Sequence, residues 1–311
     1  MKIYKHGTFW CIINLGNKHT KEGAMNEKLE LRKLLIYAIS VYRIPQKIKG
    51  MTDKRKRKGI PFFNLIMPVF MALLLQYESF HTFFSAPESM GRRFGNFIRG
   101  RIPKVDAVRD ALALLEADEV GDLLDSIVEK TYRNAVFRSG TIGGDTAAAV
   151  DGGELFSSTK KSCRKCLTRK NKAGQTEYFH RSVVCASIGH SPHVVLGQEM
   201  LTPRDGGEKD EGELTGGKRL VRDLHRKFGH FADVIVADAL YLNAPFLNTV
   251  LDCHMDAVIR LKDEERLIYK DAKGLFEKGE GRKDGFRRGR KRIEAWDTSG
   301  FEMEGLSLIH I

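Results

Sequence analysis

Asp233-Val-Ile-Val-Ala-Asp-Ala-Leu-Tyr-Leu-Asn-Ala-Pro-Phe-Leu247 is the stretch whose reading decides the fold. Val234, Ile235 and Val236 form a short unbroken apolar run, the pattern of a strand buried on both faces. Asp238 follows two residues later, where a parallel strand leaves its sheet. Asn243 offers a helix N-cap, and Pro245 falls in the first helical turn, where its missing N–H costs little. A carboxylate at the C-terminal end of a central strand, facing a helix start, is where open α/β sheets place their chemistry. Taken alone, Asp238 also reads as a simple turn or cap residue.

A second acid bears on that choice. Ala147, Ala148, Ala149 and Val150 make another short apolar strand, which ends on Asp151 and is followed by Gly152 and Gly153. Two strand-borne carboxylates brought side by side form a hard-oxygen site suited to Mg²⁺ or Mn²⁺. Such ions activate a water or a 3′-hydroxyl and steady the leaving oxygen of a phosphodiester. Asp145 competes for the first position, but it precedes the strand instead of ending it. Glu154 is three residues from Asp151 and faces the opposite side of a continuing strand, which makes it a poor co-ligand.

Three segments carry a resemblance: Val-Asp-Gly-Gly-Glu-Leu-Phe-Ser-Ser at 150–158, Cys-Arg-Lys-Cys-Leu-Thr-Arg at 163–169 and Val-Ala-Asp-Ala-Leu-Tyr at 236–241. Together they resemble bacterial insertion-sequence DDE transposases of the insertion sequence 4 type. The resemblance covers the second half of the chain well and the helical first half more loosely. It implies an RNase H-like core with metal-binding acids on the first strand, the fourth strand and a late helix, Mg²⁺ or Mn²⁺ as cofactor, and phosphodiester cleavage and strand transfer at the ends of an insertion sequence. It also implies DNA partners (terminal inverted repeats and target), a homodimer in the active complex, and a cytoplasmic, nucleoid-associated setting. Asp151 matches the first acid and Asp238 the second. The third, a Glu on a helix beyond a β-rich insertion, has no counterpart motif here. Glu264, Glu265 and Glu294 are carboxylates without a convincing late helix around them.

Composition agrees with a polyanionic partner. The 311 residues carry 52 Lys and Arg against 40 Asp and Glu, a formal net charge of +12. That surplus suits nucleic acid, although a membrane surface would also satisfy it. Five cysteines, scattered and odd in number, do not make a disulfide framework. The N-terminus has no apolar core with a small-residue cleavage site. The most apolar window, Pro61 to Leu75, contains Asn64 and Pro68 and falls short of the roughly 20 residues a membrane span needs.

The expected organisation is α+β or α/β: a helical N-terminal domain, then an RNase H-like mixed sheet with helices, interrupted by a β-rich insertion. Residues 1–26 read as an extension without assigned function and 27–140 as a helical, DNA-binding-like domain. Within the latter, Leu29 to Tyr42 has helical spacing. The basic run Lys54 to Lys58 suits either a solvated face or a phosphate-binding arm. Pro68 marks a break or kink within Pro61 to Phe84. Pro103 opens one helix, and a second covers Leu123 to Phe137 after an acidic turn at Glu116 to Glu119, a pairing that resembles a helix-turn-helix.

Residues 143–262 form the expected core, with strands at Glu177 to Ser187, Val194 to Leu201 and Ala257 to Leu261, and a helix from Thr215 ending at Gly229. The acidic run Asp205, Glu208, Asp210, Glu211 and Glu213 lacks EF-hand spacing and reads as a solvated loop. Lys160, Lys161, Arg164, Lys165, Arg169 and Lys170 sit in one loop after the first acid, and Arg260 and Lys262 lie at the end of the last strand. All eight are candidates for phosphate contact, and a merely solvated basic loop fits the same pattern. Cys163 and Cys166 have Cys-x-x-Cys spacing, half of a zinc site that His180, Cys185, His190 or His193 would have to complete, or two reduced cysteines without metal.

Residues 263–305 read as the start of the β-rich insertion, with a hairpin turning at Thr298, Ser299 and Gly300. Leu306 to Ile311 resembles a translated sequencing adapter appended to an interrupted frame, so the expectation is a chain cut before the third acid. Two rival readings remain at this point: another RNase H-like nuclease, or a nucleic-acid-binding protein without enzymatic activity.

Overall fold

The computed structural model of the chain describes residues 33–310 except 34–35, 38, 78, 85–94, 96–97, 99, 101–102, 190–192, 204–209, 262–263 and 304–305. The described residues fall into two compact units that divide between Lys130 and Thr131.

The first unit is helical: α1 (Ile44–Gly50), α2 (Phe62–Leu74), α3 (Phe80–Phe84), α4 (Val105–Leu112) and α5 (Ala117–Arg133), the last crossing the division. Its core is one apolar cluster built on Ile44, Ile48, Leu65, Met67, Val108 and Ala111, each no more than 1% exposed. Pro68 lies buried inside α2, which continues to Leu74. The expected break therefore does not fall there. One lost backbone hydrogen bond is outweighed by an apolar face packed against its neighbours. The acidic turn expected before the last helix is instead the first turn of α5, with Asp118 and Glu119 near its N-terminus, where the helix dipole favours negative charge. Of the basic run, Arg55 is bound to Asp53 and to the Ile60 carbonyl, and Lys54 pairs with Glu116. Part of the helix expected over 29–42 lies outside the described residues, and residues 33, 36, 37, 39 and 40 within it are helical. Arg92, Arg93, Arg99 and Arg101 lie outside the described residues.

The second unit is built on a six-stranded mixed sheet of β1 (Ala147–Ser158), β2 (Leu167–Lys170), β3 (Thr176–Ile188), β4 (Val195–Met200), β5 (Val234–Ala237) and β6 (Asp256–Ile259). Strand β3 pairs antiparallel with β1 along one edge and with β2 and then β4 along the other. Strands β1, β5 and β6 run parallel, with β5 in the middle. The path β4-β3-β1-β5-β6 is the mixed α/β order expected of an RNase H-like core. Ile235 and Ala237, on one face of β5, are buried at 0% and 7% exposure, whereas Val234 and Val236 on the other face are half-buried, so the expected burial on both faces is met fully on one.

Helix α6 (Glu213–Phe228) lies against this sheet through Leu220, Val221 and Leu224. It begins two residues before the sequence reading placed it. Its close approach depends on two adjacent glycines. A Cβ at Gly216 would meet Leu201 Cδ2 at 2.4 Å, and one at Gly217 would meet Tyr241 Cε1 at 2.9 Å. Helix α7 (Ala244–Asp252) follows β5, with Asn243 at the N-cap position and Pro245 in the first turn, although the Asn243 side chain makes no capping bond.

Three features beyond 160 differ from expectation. The basic loop is partly strand, because Leu167–Lys170 forms β2 against β3. Residues 267–277 are a helix, α8 (Leu267–Glu277), that the mixed composition did not reveal. The expected turn at Thr298 to Gly300 is not a hairpin tip. Strands β7 (Arg282–Arg288) and β8 (Lys291–Asp297) turn at Gly289 and Arg290, and β9 (Ser299–Met303) pairs with β10 (Leu306–His310). Gly289 takes a φ of 62° there, a conformation glycine adopts without steric cost. Among the described residues, no helix is long and apolar enough to cross a membrane.

Candidate metal centre

The parallel register of β1 and β5 runs from Ala147 opposite Val234 to Val150 opposite Ala237. The next residues are Asp151, still within β1, and Asp238, just past the end of β5. Neighbouring strands lie about 4.8 Å apart, and in-register residues present their side chains to the same face. Asp238 keeps an extended backbone, with φ −84° and ψ 176°, as it leaves the sheet. The two acids therefore stand next to each other where β5 ends; Asp151 itself lies inside β1, which runs on to Ser158 against β3 and does not end on the acid as the sequence reading had it.

Register at this end is secured at the other. Asp233 Oδ2 accepts hydrogen bonds from the Thr146 backbone N–H and from Thr146 Oγ1, both at 2.6 Å, and Oδ1 lies 2.7 Å from His230 Nε2. The Thr146 hydroxyl first, then His230, hold the Asp233 carboxyl down at about 2. This clamp joins the residue before β1 to the residue before β5, so a one-residue slip of the pair would break it.

Each acid is oriented by a backbone donor. Asp151 Oδ1 accepts from Gly152 N–H at 2.9 Å, and Asp238 Oδ1 accepts from Leu240 N–H at 2.9 Å. The simple reading of Asp238 as the cap of a short turn is thus also true: it caps the 3-10 turn Ala239–Tyr241. Asp151 is exposed and Asp238 half-buried, so solvent reaches both.

A third carboxylate lies close by. Glu213, in the first turn of α6, sits over Gly152, where a Cβ would come within 2.3 Å of its carboxyl carbon. Arg181 on β3 holds it through a 2.7 Å ion pair to Oε1. Gly152 and Asp151 face opposite sides of β1, so Glu213 approaches from the helix-covered face and the aspartates from the other. The three do not converge within 4.8 Å as a set.

Their common neighbour is Tyr241. Its side chain is fully buried, and its hydroxyl has no hydrogen-bond partner among the described residues. Burial, followed by the charges of Glu213, Asp151 and Asp238, drives its pKa far above the ordinary tyrosine value, against a smaller opposing effect of Arg181. Two solvent-accessible aspartates suit a hard divalent cation that retains several waters.

The sequence reading put Glu213 in a solvated acidic loop and gave no role to Arg181 or Tyr241. An acid followed by helical spacing is a helix-start signal that would have moved Glu213 onto α6. Asp145 closes a tight turn by paired backbone bonds with Ile142, away from Asp151 along the chain. Glu154 is occupied by Arg169 at 2.6 Å.

The basic residues divide into two groups. Arg169 binds both Glu154 and Glu177 and lies 4.5 Å over the Phe179 ring. Its guanidinium is thus held within the sheet by two carboxylates and an aromatic face. Lys170 donates to Thr176 Oγ1 at 2.9 Å. Lys160, Lys161, Arg164, Lys165 and Arg260 are exposed, and Lys262 lies outside the described residues. Of the candidate partners for Cys163 and Cys166, His180 joins them. Cys185 is buried at 0% exposure on β3, where burial pushes its thiol up to about 12. His193 lies 3.3 Å from the Ser187 carbonyl, and His190 is outside the described residues.

No protein-family model matches the chain, and no curated protein matches it. Among solved structures, the chain is similar to a piggyBac transposase in a synaptic complex with hairpin DNA, at 15% identity and a TM-score of 0.37. The match covers 89% of this chain and 59% of that one.

Proposed function

We propose that this chain carries the metal-binding centre of a DNA transposase, cleaving phosphodiester bonds at the ends of a mobile element. The observation that carries the reading is the parallel register that makes Asp151 and Asp238 neighbours at the open end of the sheet. The motifs at 150–158, 163–169 and 236–241 supply the transposase resemblance and its insertion-sequence type. The mixed sheet order is compatible with both.

Asp151 and Asp238 would hold Mg²⁺ or Mn²⁺. Bound there, the ion supplies a Lewis acid that activates the attacking oxygen and neutralises charge on the phosphate. The protein's part is positional. Backbone N–H groups of Gly152 and Leu240 fix the two carboxylates, and the Asp233 clamp fixes their strands. Glu213, held by Arg181, adds negative charge from the helix side. Exposed Lys160, Lys161, Arg164 and Lys165 follow β1 and are suited to phosphates, which they would position without reading sequence.

The test is nicking of a supercoiled plasmid carrying the DNA that flanks the reading frame, with Mg²⁺ or Mn²⁺. Metal-dependent nicking that disappears in Asp238→Ala, with plasmid binding retained, supports the reading. Binding without nicking is what a chain cut before the third acid would give; nicking that persists undiminished in Asp238→Ala, or Mn²⁺ binding that Asp151→Ala and Asp238→Ala leave unchanged, refutes the reading.

A further inference from the structure

The carboxylates are not the only ligand set. Among the described residues, one group of three His, Cys or acidic side chains brings its ligand atoms together: Cys163, Cys166 and His180. Cys163 Sγ and Cys166 Sγ are 3.6 Å apart, and His180 Nε2 lies 3.3 Å from the first and 3.4 Å from the second. Tetrahedral zinc with the usual bond lengths requires edges of roughly 3.8 Å between sulfurs and roughly 3.6 Å from sulfur to nitrogen. The observed triangle is within a few tenths of an ångström of one face of that tetrahedron.

We infer that Cys163, Cys166 and His180 form a zinc site, separate from the carboxylate centre and different in kind. Thiolate and imidazole select a soft or borderline ion, whereas the aspartates select a hard one. Two thiolates and a neutral imidazole also balance the charge of Zn²⁺, which suits a loop already crowded with Lys160, Lys161, Arg164 and Lys165.

The local fold prepares the site. Cys166 N–H donates to the Cys163 carbonyl at 3.2 Å, closing the Cys-x-x-Cys turn, and Cys163 N–H points at Cys166 Sγ at 3.2 Å. His180 comes from the neighbouring strand β3, where it pairs with Phe156 of β1. Cys166 is buried and Cys163 exposed, so the fourth position opens toward solvent on the Cys163 side. His180 Nδ1 is buried without a hydrogen-bond partner among the described residues. Lacking the acceptor that normally supports a zinc-bound histidine, the site binds about 10- to 100-fold more weakly than one in which that partner is present. Its role follows from its place: the ion ties the turn at 163–166 to β3 and so fixes the root of the basic segment 160–165.

The test uses the full chain, reduced and loaded with excess zinc, then passed through a desalting column. Elemental analysis is expected to give one zinc per chain. The Cys163→Ser/Cys166→Ser variant is expected to retain less than a tenth of that, and Cys253→Ala, at the end of α7, to retain all of it. Co²⁺ loading of the unmodified chain gives a readout that needs no variant, with expected thiolate-to-cobalt charge-transfer and tetrahedral ligand-field bands. Absence of both bands, zinc retained equally by the double variant, or a zinc-free chain isolated with a Cys163–Cys166 disulfide would each overturn the assignment.

Discussion

The two ligand clusters of the sheet unit are built on different principles. Asp151 and Asp238 are placed by long-range strand pairing: a parallel register over four residue pairs, with buried Ala148, Val150, Ile235 and Ala237 beneath it. Cys163, Cys166 and His180 are placed by one tight turn and one neighbouring strand, in a segment whose other contacts are exposed ion pairs such as Arg169 with Glu154 and Glu177. Exposed pairs of that sort are screened by solvent and contribute little. The oxygen centre is thus preorganised by the core, and the sulfur cluster gains order from whatever it binds. On the proposed reading, a site that holds two oxygens of a reacting phosphate needs rigidity first, and a loop that adapts to a nucleic-acid backbone needs only a local staple.

The largest effect that would sharpen this contrast is on cleavage. On the proposed reading, Asp151→Ala or Asp238→Ala removes a metal ligand worth several kcal/mol of charge stabilisation, so whatever metal-dependent nicking the chain supports is expected to fall to background. Gel-shift affinity for plasmid fragments should change by less than about threefold. Equal losses in both assays would mean that the acids serve the fold and not the chemistry.

Next in size is the basic segment. Lys160→Ala combined with Lys161→Ala is expected to weaken DNA binding about tenfold at moderate salt, and to lower the slope of log affinity against log salt by about 2. An unchanged slope would remove these lysines from the interface.

Glu213 approaches the pair from the helix side and should matter less than either aspartate. Glu213→Gln is expected to reduce nicking by about tenfold. Gly152→Ala drives a methyl into the Glu213 carboxylate and should have a similar effect with a circular dichroism spectrum like the wild type. A loss as large as that of Asp238→Ala would promote Glu213 to a full ligand.

Tyr241→Phe removes a buried hydroxyl without a partner, a group that costs about 1–3 kcal/mol. Thermal melting in chelator should show the variant more stable by about 1 kcal/mol, and Mn²⁺ should narrow the difference. A destabilised variant would mean that the hydroxyl is already satisfied.

The smallest effect concerns the clamp at the far end of the strands. The Asp233 carboxyl titrates at about 2 in the fold, below its ordinary value of 3.8. Its contribution is therefore present above about pH 4 and lost as pH falls through 2. Its side chain is 39% exposed, so after allowance for solvent screening the contribution is about 1 kcal/mol or less. Asp233→Asn should be less stable than the wild type by that amount at pH 7, with the difference vanishing near pH 2 in denaturant melts.

The strands of the central sheet were legible because they are short apolar runs bounded by turn residues. Val234 to Val236 and Ala147 to Val150 both lie in strands, although β1 continues through Asp151 to Ser158 where the apolar run had suggested an end. What sequence patterning missed was set by tertiary context. Leu167–Lys170 is too short and too polar to show as a strand, and it exists because β3 is long enough to pair with β2 and β4 in succession. Pro68 reads as a breaker, yet a buried apolar face carries the helix through it. Residues 267–277 mix charge and apolar side chains at a spacing easily taken for irregular chain. The hairpin tips were misplaced by ten residues, because Gly289 and Gly300 are equally good turn residues and only strand pairing separates them. At the candidate site, Asp151 and Asp238 could be read from their own neighbours. Glu213, Arg181 and Tyr241 could not, since their meeting depends on how closely Gly216 and Gly217 let α6 approach the sheet.

The most direct measurement is titration calorimetry of Mn²⁺ into the zinc-loaded chain and its Asp151→Asn and Asp238→Asn variants. If the two strand ends share a cation, the wild type shows saturable Mn²⁺ binding that either substitution weakens by at least tenfold. Mn²⁺ binding of equal affinity in all three proteins would contradict the account.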